Sequence, residues 1–204
     1  MQYTWDRATR PGVAWQPGLI GGVFADQGLC GRSMNSGLLR FHDAGSAPAA
    51  QATVNAMLGT RGLDAEVFAF DWLARQFSVT SCLTAEGLPD RTRTSRTVVV
   101  LDPFDGSVTP WVDARSFERA LGVPLAQDFL MPDLFGEWKD LSGIADLPFD
   151  ACAGARVPGF YGGKRQIANL NLDSVEVYLI FHATALGARS RRRVWFSTTA
   201  FGSG

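Results

Sequence analysis

The segment GFYGGKR, residues 159–165, is the best candidate in this sequence for a phosphate-binding loop. A phosphate cradle needs consecutive backbone N–H groups that lead into the N-terminus of a helix. Here Gly162 and Gly163 are followed by KRQIANLNL, in which no start of a helix can be identified. We therefore expect the two glycines to form a tight turn, through a positive φ or a close approach of the chain to an aromatic core.

Histidine chemistry is limited to two residues. His42 follows a short apolar segment, and His182 lies inside the apolar run YLIFHATAL. A lone histidine in such surroundings is usually a hydrogen-bonded core residue, and we expect this role for both. A nucleophilic Cys–His pair would require Cys30, Cys82 or Cys152 to meet one of them in space, and nothing in the local sequence favours this.

Metal and cofactor sites have little support in the sequence. Asp102 and Asp105 in LDPFDGS superficially suggest a calcium or magnesium loop, but Asp-Pro and Asp-Gly pairs are typical of hairpin turns. The three cysteines are far apart and lack CxxC spacing, which argues against a zinc site or a disulfide framework. The motifs GxSxG, HExxH and GxxxxGK[ST] are absent from the sequence. We expect no metal, no cofactor and no assembled catalytic set.

Charge is distributed unevenly along the chain, although the net charge is only −1. Residues 101–150 hold ten acids and three bases, whereas residues 151–204 hold seven bases and two acids. Either the two segments neutralise each other across the fold, or the middle forms an acidic docking face. The basic cluster RSRRR, residues 189–193, could contact nucleic acid or a phospholipid surface, but so short a cluster is more typical of a solvated or salt-bridged segment.

The first half of the chain predicts mostly strands. A strand within 36–43 is followed by a helix over 47–58, with Ser46 as its N-cap, Pro48 in its first turn and Gly59 at its end. Residues 66–80 predict two strands joined by a tight turn, 80–96 an exposed loop, and 97–112 a β-hairpin.

The second half predicts mostly helices. We expect a helix over 114–122 capped by Asp113 or Ser116, helical pieces within 124–141, and a loop to about 156. Residues 173–187 begin strand-like and end helix-like, and their length favours a helix, while RRRVWFSTTAF predicts a last strand. From the closing segment we expect four side chains to enter the core: Leu170, Val177, Leu179 and Phe181.

Strands cluster before helices without βαβ alternation. This predicts one α+β domain, with a mostly antiparallel sheet packed against a few helices. We place an irregular extension at 1–35 and the main domain at 36–204, as one compact unit. The sequence has no secretory signal pattern and no apolar run long enough to cross a bilayer, so we expect a cytoplasmic protein.

Three blocks of this sequence, in order, resemble the C-terminal domain of a group of type VI secretion immunity proteins. The resemblance covers roughly residues 36–187, and Ala74 stands where the family pattern has glycine. The N-terminal 35 residues do not resemble the domain that often precedes this module. The first block matches at Asp71, Trp72, Leu73, Arg75 and Phe77, and the second at Asp102, Pro103 and Gly106. The third block matches at Pro158, Gly162, Gly163, Asn169, Leu170, Asp173, Glu176, Val177 and Tyr178.

The resemblance implies a bacterial cytoplasmic antitoxin rather than an enzyme. Its partner would be a cognate secreted toxin, often a nuclease, encoded by a neighbouring gene, and no direct contact with membrane or nucleic acid is expected. The matched residues are expected to form a scaffold. Toxin binding is expected on the acidic middle, which would imitate the charge of nucleic acid through Asp128, Asp133, Glu137 and Asp140. The alternatives are a module of the same fold without a toxin partner, or an enzyme whose site the sequence does not reveal.

Overall fold

The computed structural model describes residues 4–6, 13–19, 26–58, 63–84, 89–90, 92, 94–121 and 128–198. Six antiparallel strands form the main sheet in chain order: β1 Ser33–Met34, β2 Leu39–Phe41, β3 Ala65–Asp71, β4 Gln76–Ser81, β5 Arg96–Asp102 and β6 Ser107–Asp113. A second antiparallel pair is β7 Ala151–Ala155 with β8 Leu170–Ser174. The α-helices are α1 Ala47–Leu58, α2 Phe117–Leu121, α3 Pro132–Ser142 and α4 Val175–Thr198. The fold is α+β, as predicted.

The main sheet is buried on both faces. Alternate residues of a strand point to opposite faces, so Val98 and Val100 of β5 enter one core cluster and Val99 and Leu101 enter another. The first cluster contains the inward side chains of α2 and α3, and the second contains those of α1 and α4. The sheet is therefore a middle layer between two layers of helices, with α3 on one face and α4 on the opposite one.

Helix α1 is capped by Asp43 together with Ser46, and only Ser46 was predicted as the N-cap. The Asp43 carboxylate accepts hydrogen bonds from the N–H groups of Gly45 and Ser46, at 3.1 and 2.9 Å, and the Ser46 hydroxyl lies 3.1 Å from the N–H of Asp43. This reciprocal capping satisfies donors that a helix N-terminus would otherwise leave without partners. The bounds predicted for the helix, 47–58, are confirmed. The glycine predicted at its end, Gly59, lies outside the described residues.

Most of the other predicted elements are confirmed. The strand within 36–43, the paired strands within 66–80, the hairpin at 97–112 and helices near 114–122 and within 124–141 are all present. Asp113 caps a 3₁₀ turn, Ala114–Ser116, that leads into α2. In the loop predicted at 80–96, residues 85–88, 91 and 93 lie outside the described part of the chain. Residues 122–127, where one predicted helix ends and the next begins, also lie outside it.

Two of the elements predicted for the second half are wrong. Residues 151–155, ACAGA, form β7 rather than the predicted loop, and these small residues carry no β-branched or aromatic signal. Small size is required there, because a Cβ on Gly154 would lie 2.9 Å from a ring carbon of Tyr178. The strand expected in RRRVWFSTTAF is also wrong, since α4 continues through Thr198, and arginine is a good helix former.

Part of the N-terminal segment belongs to the main sheet. Strand β1 pairs with β2, and the Asp6 carboxylate accepts hydrogen bonds from the Ser33 hydroxyl and from the N–H groups of Ser36 and Gly37. The described residues between 26 and 35 therefore pack with the domain that follows them. None of the described helices combines the length and the apolar character that a membrane span requires.

Candidate functional site

The first matched block closes the turn between β3 and β4 with a buried ion pair. One carboxylate oxygen of Asp71 accepts from the N–H groups of Leu73 and Arg75, each at 3.0 Å. The other oxygen lies 2.6 Å from Nε and 2.5 Å from an Nη of Arg75. The same guanidinium donates to the carbonyl of Phe129 at 2.8 Å. These two side chains satisfy each other and the backbone around them, so their role is structural.

Ala74 lies within this turn in a backbone conformation that favours glycine. Its φ is 60°, in the left-handed region that disfavours residues with a Cβ. Its N–H donates to the carbonyl of Asp71 at 3.0 Å, which fixes the tight turn. This chain therefore keeps a glycine-type conformation with alanine.

Trp72 connects this turn to α3. Its indole N–H donates to the carbonyl of Leu130 at 2.9 Å, and its ring lies 5.2 Å from that of Phe135 and 6.0 Å from that of Trp138. Phe77, the last residue of the block, is fully buried in the same cluster. The block therefore anchors α3 to the sheet and places no reactive group at the surface.

The second matched block forms the turn of the β5–β6 hairpin. The carboxylate of Asp102 accepts a hydrogen bond from the N–H of Phe104, and its backbone carbonyl accepts one from the N–H of Gly106. Gly106 has a φ of 76°, and the buried Pro103 completes the turn. Its second carboxylate oxygen lies 2.5 Å from an Nη of Arg165. Burial raises the pKa of Asp102 above its ordinary value, while the guanidinium of Arg165 opposes this shift. The hairpin turn predicted here is confirmed.

The third matched block is a tight turn that leads into β8. Gly162 has a φ of 89°, and a Cβ on Gly163 would lie 1.8 Å from the carbonyl oxygen of Val157. The Asn169 amide fastens the turn, because it accepts from the N–H of Val157 and donates to the carbonyls of Val157 and Lys164. The next α-helix starts only at residue 175. The expected glycine turn is confirmed, and no α-helix N-terminus directly follows the glycine pair.

Replacing Gly163 with alanine should destabilise the protein by about 3 kcal/mol, because the added methyl group forces the Val157 carbonyl to move. Gly136 is the matched control. It lies inside α3, and a Cβ added there would meet no atom within 4 Å, so Gly136→Ala should stabilise by up to about 1 kcal/mol. Urea unfolding followed by circular dichroism measures both. Equal unfolding midpoints for the two variants would contradict the assigned role of Gly163.

Arg40 is a buried cation that the sequence did not single out. Its guanidinium donates to the carbonyls of Pro148, Phe149 and Ala151, and to that of Asp71 at 2.9 Å. Burial lowers its pKa to about 10, which leaves the side chain charged at neutral pH. A buried charge held by carbonyl groups joins the central sheet to the start of β7, so this residue belongs to the scaffold.

His182 is buried, as predicted, but only one of its ring nitrogens is satisfied. Nδ1 donates to the carbonyl of Tyr178 at 2.8 Å, while Nε2 has no hydrogen-bond partner among the described atoms. The ring lies 3.9 Å from that of Tyr178, 5.3 Å from that of Phe181 and 5.7 Å from that of Phe160. Burial lowers the pKa of His182, with the carbonyl of Tyr178 and the charge of Asp173 opposing the shift.

This lowered pKa predicts a loss of stability in acid. The unfolded chain takes up the proton at a pH of about 6.5, before the native His182 does. The free energy of unfolding should therefore fall as the pH drops below about 6.5 towards the native pKa, and His182 should contribute no pH dependence at higher pH. Urea midpoints from pH 7.5 to 5 should decline more steeply for the wild type than for His182→Gln. Parallel profiles would show that His182 does not cause the decline.

His42 is also buried and hydrogen-bonded, as predicted. Gln76 donates its amide N–H to the carbonyl of Ala74, so its oxygen, 3.0 Å from Nε2 of His42, accepts from that nitrogen. Nδ1 then faces the Ser46 hydroxyl at 3.1 Å, beside a cavity of about 270 Å³ between α1 and α4. This serine–histidine contact was not predicted, although the two residues are only four positions apart in the sequence. Because the hydroxyl also lies 2.9 Å from the Asp43 carboxylate, its hydrogen bonds belong to the helix cap.

The predicted acidic residues lie on the surface, and three of them share one face of α3. Asp133, Glu137 and Asp140 are exposed at helical positions i, i+4 and i+7, opposite the buried Phe135 and Trp138. We call these three residues the acidic face. The fourth predicted residue, Asp128, is also exposed but precedes the helix.

The acidic face has no ion-pair partner among the described residues. Of the ion pairs between described residues, only Asp102–Arg165 joins the acidic middle of the sequence to the basic end.

The outer face of α4 is unexpectedly apolar. The exposed fraction is 61% for Val177, 53% for Ile180 and 56% for Phe181. The prediction that Val177 and Phe181 enter the core is therefore wrong. The same prediction for Leu170 and Leu179 is confirmed, since both are buried. The prediction followed the two-residue period of a strand, but the helical period turns positions 175, 178, 179 and 182 inward.

Within the described ranges, no group of three or more His, Cys, Asp or Glu side chains is arranged to hold a metal ion. The sulfhydryl groups of Cys30, Cys82 and Cys152 are free and buried, and burial raises the pKa of Cys152 to about 12. A thiol with so high a pKa is a poor nucleophile at neutral pH.

No family model matches the chain, and no curated protein matches it. Among solved structures, the chain is similar to the crystal structure of Atu4351 from Agrobacterium tumefaciens, with a TM-score of 0.49 and 12% sequence identity. The match covers 74% of this chain and 69% of that one. A likeness at this level carries no conclusion about function.

Proposed function

We propose that this chain is an immunity protein that binds and neutralises a secreted bacterial toxin whose substrate surface is basic, as in a nuclease. The observation that carries the proposal is the acidic face of α3: Asp133, Glu137 and Asp140 are exposed on one side of the helix without a described cationic partner. Such a face attracts a basic surface and covers the site where the toxin would bind nucleic acid.

The acidic face is held rigidly. Phe135 and Trp138 lie against Trp72, Pro132 occupies the first turn of α3, and Gly143 ends the helix with a φ of 67°. A surface that is already ordered loses little conformational entropy when it binds. Rigid presentation therefore favours tight binding to a partner of complementary shape and charge.

The position of Asp140 adds support, because it opposes local stability. The residue lies in the last turn of α3, where the carbonyl ends carry partial negative charge. A carboxylate there costs about 0.3–1 kcal/mol of helix stability. Departures from local preference are expected at functional positions, which fits a role for Asp140 in binding.

The resemblance to immunity proteins supports the same proposal. The matched residues at the centres of the three blocks, such as Asp71, Asp102 and Asn169, make internal hydrogen bonds that close turns. They form a scaffold, which leaves the exposed surface for the function. The proposed partner is the cognate toxin, encoded by a neighbouring gene, and the proposed site of action is the bacterial cytoplasm.

Co-expression tests this function directly. The neighbouring toxin gene is induced in a bacterial host with this chain, with an unrelated protein of similar charge, or alone. We expect growth to be restored only by this chain, and a tagged copy to retain the toxin on an affinity column. Growth arrest in all three cultures, together with no retained toxin, would refute the proposal.

A further inference from the structure

We propose that the cavity between α1 and α4 binds a small organic cation, a molecule with an ammonium group on an apolar body. The cavity has a volume of about 270 Å³, and we call it the α1–α4 cavity. Helices α1 and α4 pack on one face of the main sheet, whereas α3 and the acidic face lie on the other. The proposal therefore concerns a separate site and does not depend on a toxin.

The inner wall of the α1–α4 cavity is apolar and buried. It is formed by Ala50 of α1, Leu179 of α4 and Phe70 of β3, all of which are almost completely removed from solvent. The half-buried ring of Phe149 meets that of Phe70 edge to face, with 5.4 Å between the ring centroids. Water against such a wall finds few hydrogen-bond partners, so an apolar group gains free energy when it displaces that water.

The rim of the α1–α4 cavity is acidic. Asp150 and Glu176 both line it, and both are exposed. The N–H of Val175 donates to the backbone carbonyl of Asp150 at 2.9 Å, and because Glu176 follows Val175, the two acidic residues lie at the same edge. No described lysine or arginine lines the cavity, and neither carboxylate forms an ion pair within the described part of the chain. The rim therefore attracts a positively charged group.

Two further polar groups of the cavity accept hydrogen bonds. The Thr53 hydroxyl donates its proton to the carbonyl of Ala49 at 3.2 Å, so its oxygen can only accept from a ligand. Nε2 of His42 donates to Gln76, which leaves Nδ1 as an accepting nitrogen. An ammonium group carries three donors and no acceptor, so it matches these groups and the carboxylates of the rim. The same carboxylates repel an anionic ligand.

The volume of the α1–α4 cavity limits the size of this cation. An apolar cavity of about 150 Å³ holds benzene, so about 270 Å³ leaves room for a benzene-sized ring and a short chain. A metal ion fits less well, because no three His, Cys, Asp or Glu side chains within the described ranges are arranged to hold one. A metal ion would also leave the apolar inner wall against water. The geometry therefore favours an arylalkylamine.

An NMR chemical-shift titration of the purified chain with phenethylamine tests the site without any toxin. Phenethylamine has a benzene ring and a short chain that ends in an ammonium group at neutral pH, whereas phenethyl alcohol and phenylacetate end in a neutral and a negative group. We expect a dissociation constant of about 1 mM or lower for phenethylamine, and binding at least about 10-fold weaker for the other two. If phenethylamine binds no more tightly than the alcohol, or not at all at about 10 mM, the proposal is overturned.

Filling the cavity should weaken this binding. Ala49 is exposed on α1 and lines the cavity, so Ala49→Leu places additional methyl groups at its mouth. Ala52→Leu is the matched control, since Ala52 is exposed on the same helix and does not line the cavity. Both variants should stay folded by circular dichroism, because leucine is a good helix former. We expect the dissociation constant to rise at least about 10-fold for Ala49→Leu and to stay unchanged for Ala52→Leu. Equal affinities would place the ligand elsewhere and overturn the proposal.

The charge of the rim has its own test. Asp150→Asn removes one carboxylate but keeps the backbone carbonyl that accepts from Val175, so we expect the fold to be retained. Asp146→Asn changes the net charge equally, at an exposed residue outside the cavity. Phenethylamine should bind about 5-fold more weakly to Asp150→Asn and with unchanged affinity to Asp146→Asn. The same affinity in both variants would show that the rim does not recognise the cation, against the proposal.

Discussion

A variant with Glu137 and Asp140 replaced by lysine should lose the ability to protect cells from the cognate toxin. The change reverses two charges on the acidic face, so a basic toxin is repelled where it was attracted. Steering by a charged surface raises association rates by roughly 10–1,000-fold, and the variant should lose most of this gain. We expect the effect to be largest at low ionic strength, where charges are least screened.

The measurement is the association rate with purified toxin at several salt concentrations, by biolayer interferometry. Asp26→Lys with Asp64→Lys is the matched control, since both residues are exposed and the net charge changes by the same amount. Asp133 is left unchanged because a carboxylate in the first turn stabilises α3, and its reversal would combine binding with folding. If both double variants bind at the same rate, net charge matters and the acidic face does not.

Asp140→Lys should stabilise the fold, although it should weaken binding to the toxin. A cation in the last turn of α3 interacts favourably with the helix dipole, and the variant should unfold at a higher urea concentration than the wild type. A variant that is more stable and yet fails to protect would show that the lost function comes from the surface.

Asp71→Ala should destabilise the protein more than any other single change described above, by about 3–5 kcal/mol. The substitution leaves the buried Arg75 without a counter-charge and the N–H groups of Leu73 and Arg75 without acceptors. Because small proteins are stable by only about 5–15 kcal/mol, we expect a large fall in the urea midpoint.

Arg165→Met provides the comparison for this effect, because it breaks the other described ion pair. Arg165 keeps 22% of its side chain exposed and Asp102 keeps 12%, so this pair is less buried than Asp71–Arg75, and water can solvate the carboxylate once the cation is gone. We expect a clearly smaller loss of stability. A larger loss from Arg165→Met than from Asp71→Ala, measured by urea unfolding, would contradict the structural role assigned to the Asp71–Arg75 pair.

Local signals explain which elements could be predicted. The capping pair Asp43 and Ser46 fixes the start of α1, and the Asp-Pro and Asp-Gly pairs fix the hairpin, because each acts within a few residues. Strand β7 could not be predicted, because its small residues are required by the ring of Tyr178, which is distant in sequence. Such a requirement arises only once the chain has folded.

The acidic face of α3 could be predicted from local signals, whereas the apolar outer face of α4 could not. The spacing of Asp133, Glu137 and Asp140 places them on one side of any helix, so their common face follows from the sequence once a helix is assumed. The exposure of Val177 and Phe181 depends on whether the segment is strand or helix, and its composition fits both. In the structure, β8 ends at Ser174 and α4 begins at the next residue, so both side chains belong to the helix.

The position of α3 and α4 on opposite faces of the sheet has a consequence for the proposed complex. A compact toxin held on the acidic face of α3 would cover one side of the sheet and leave the outer face of α4 accessible to solvent. Each copy of this chain would then hold a single toxin, at α3.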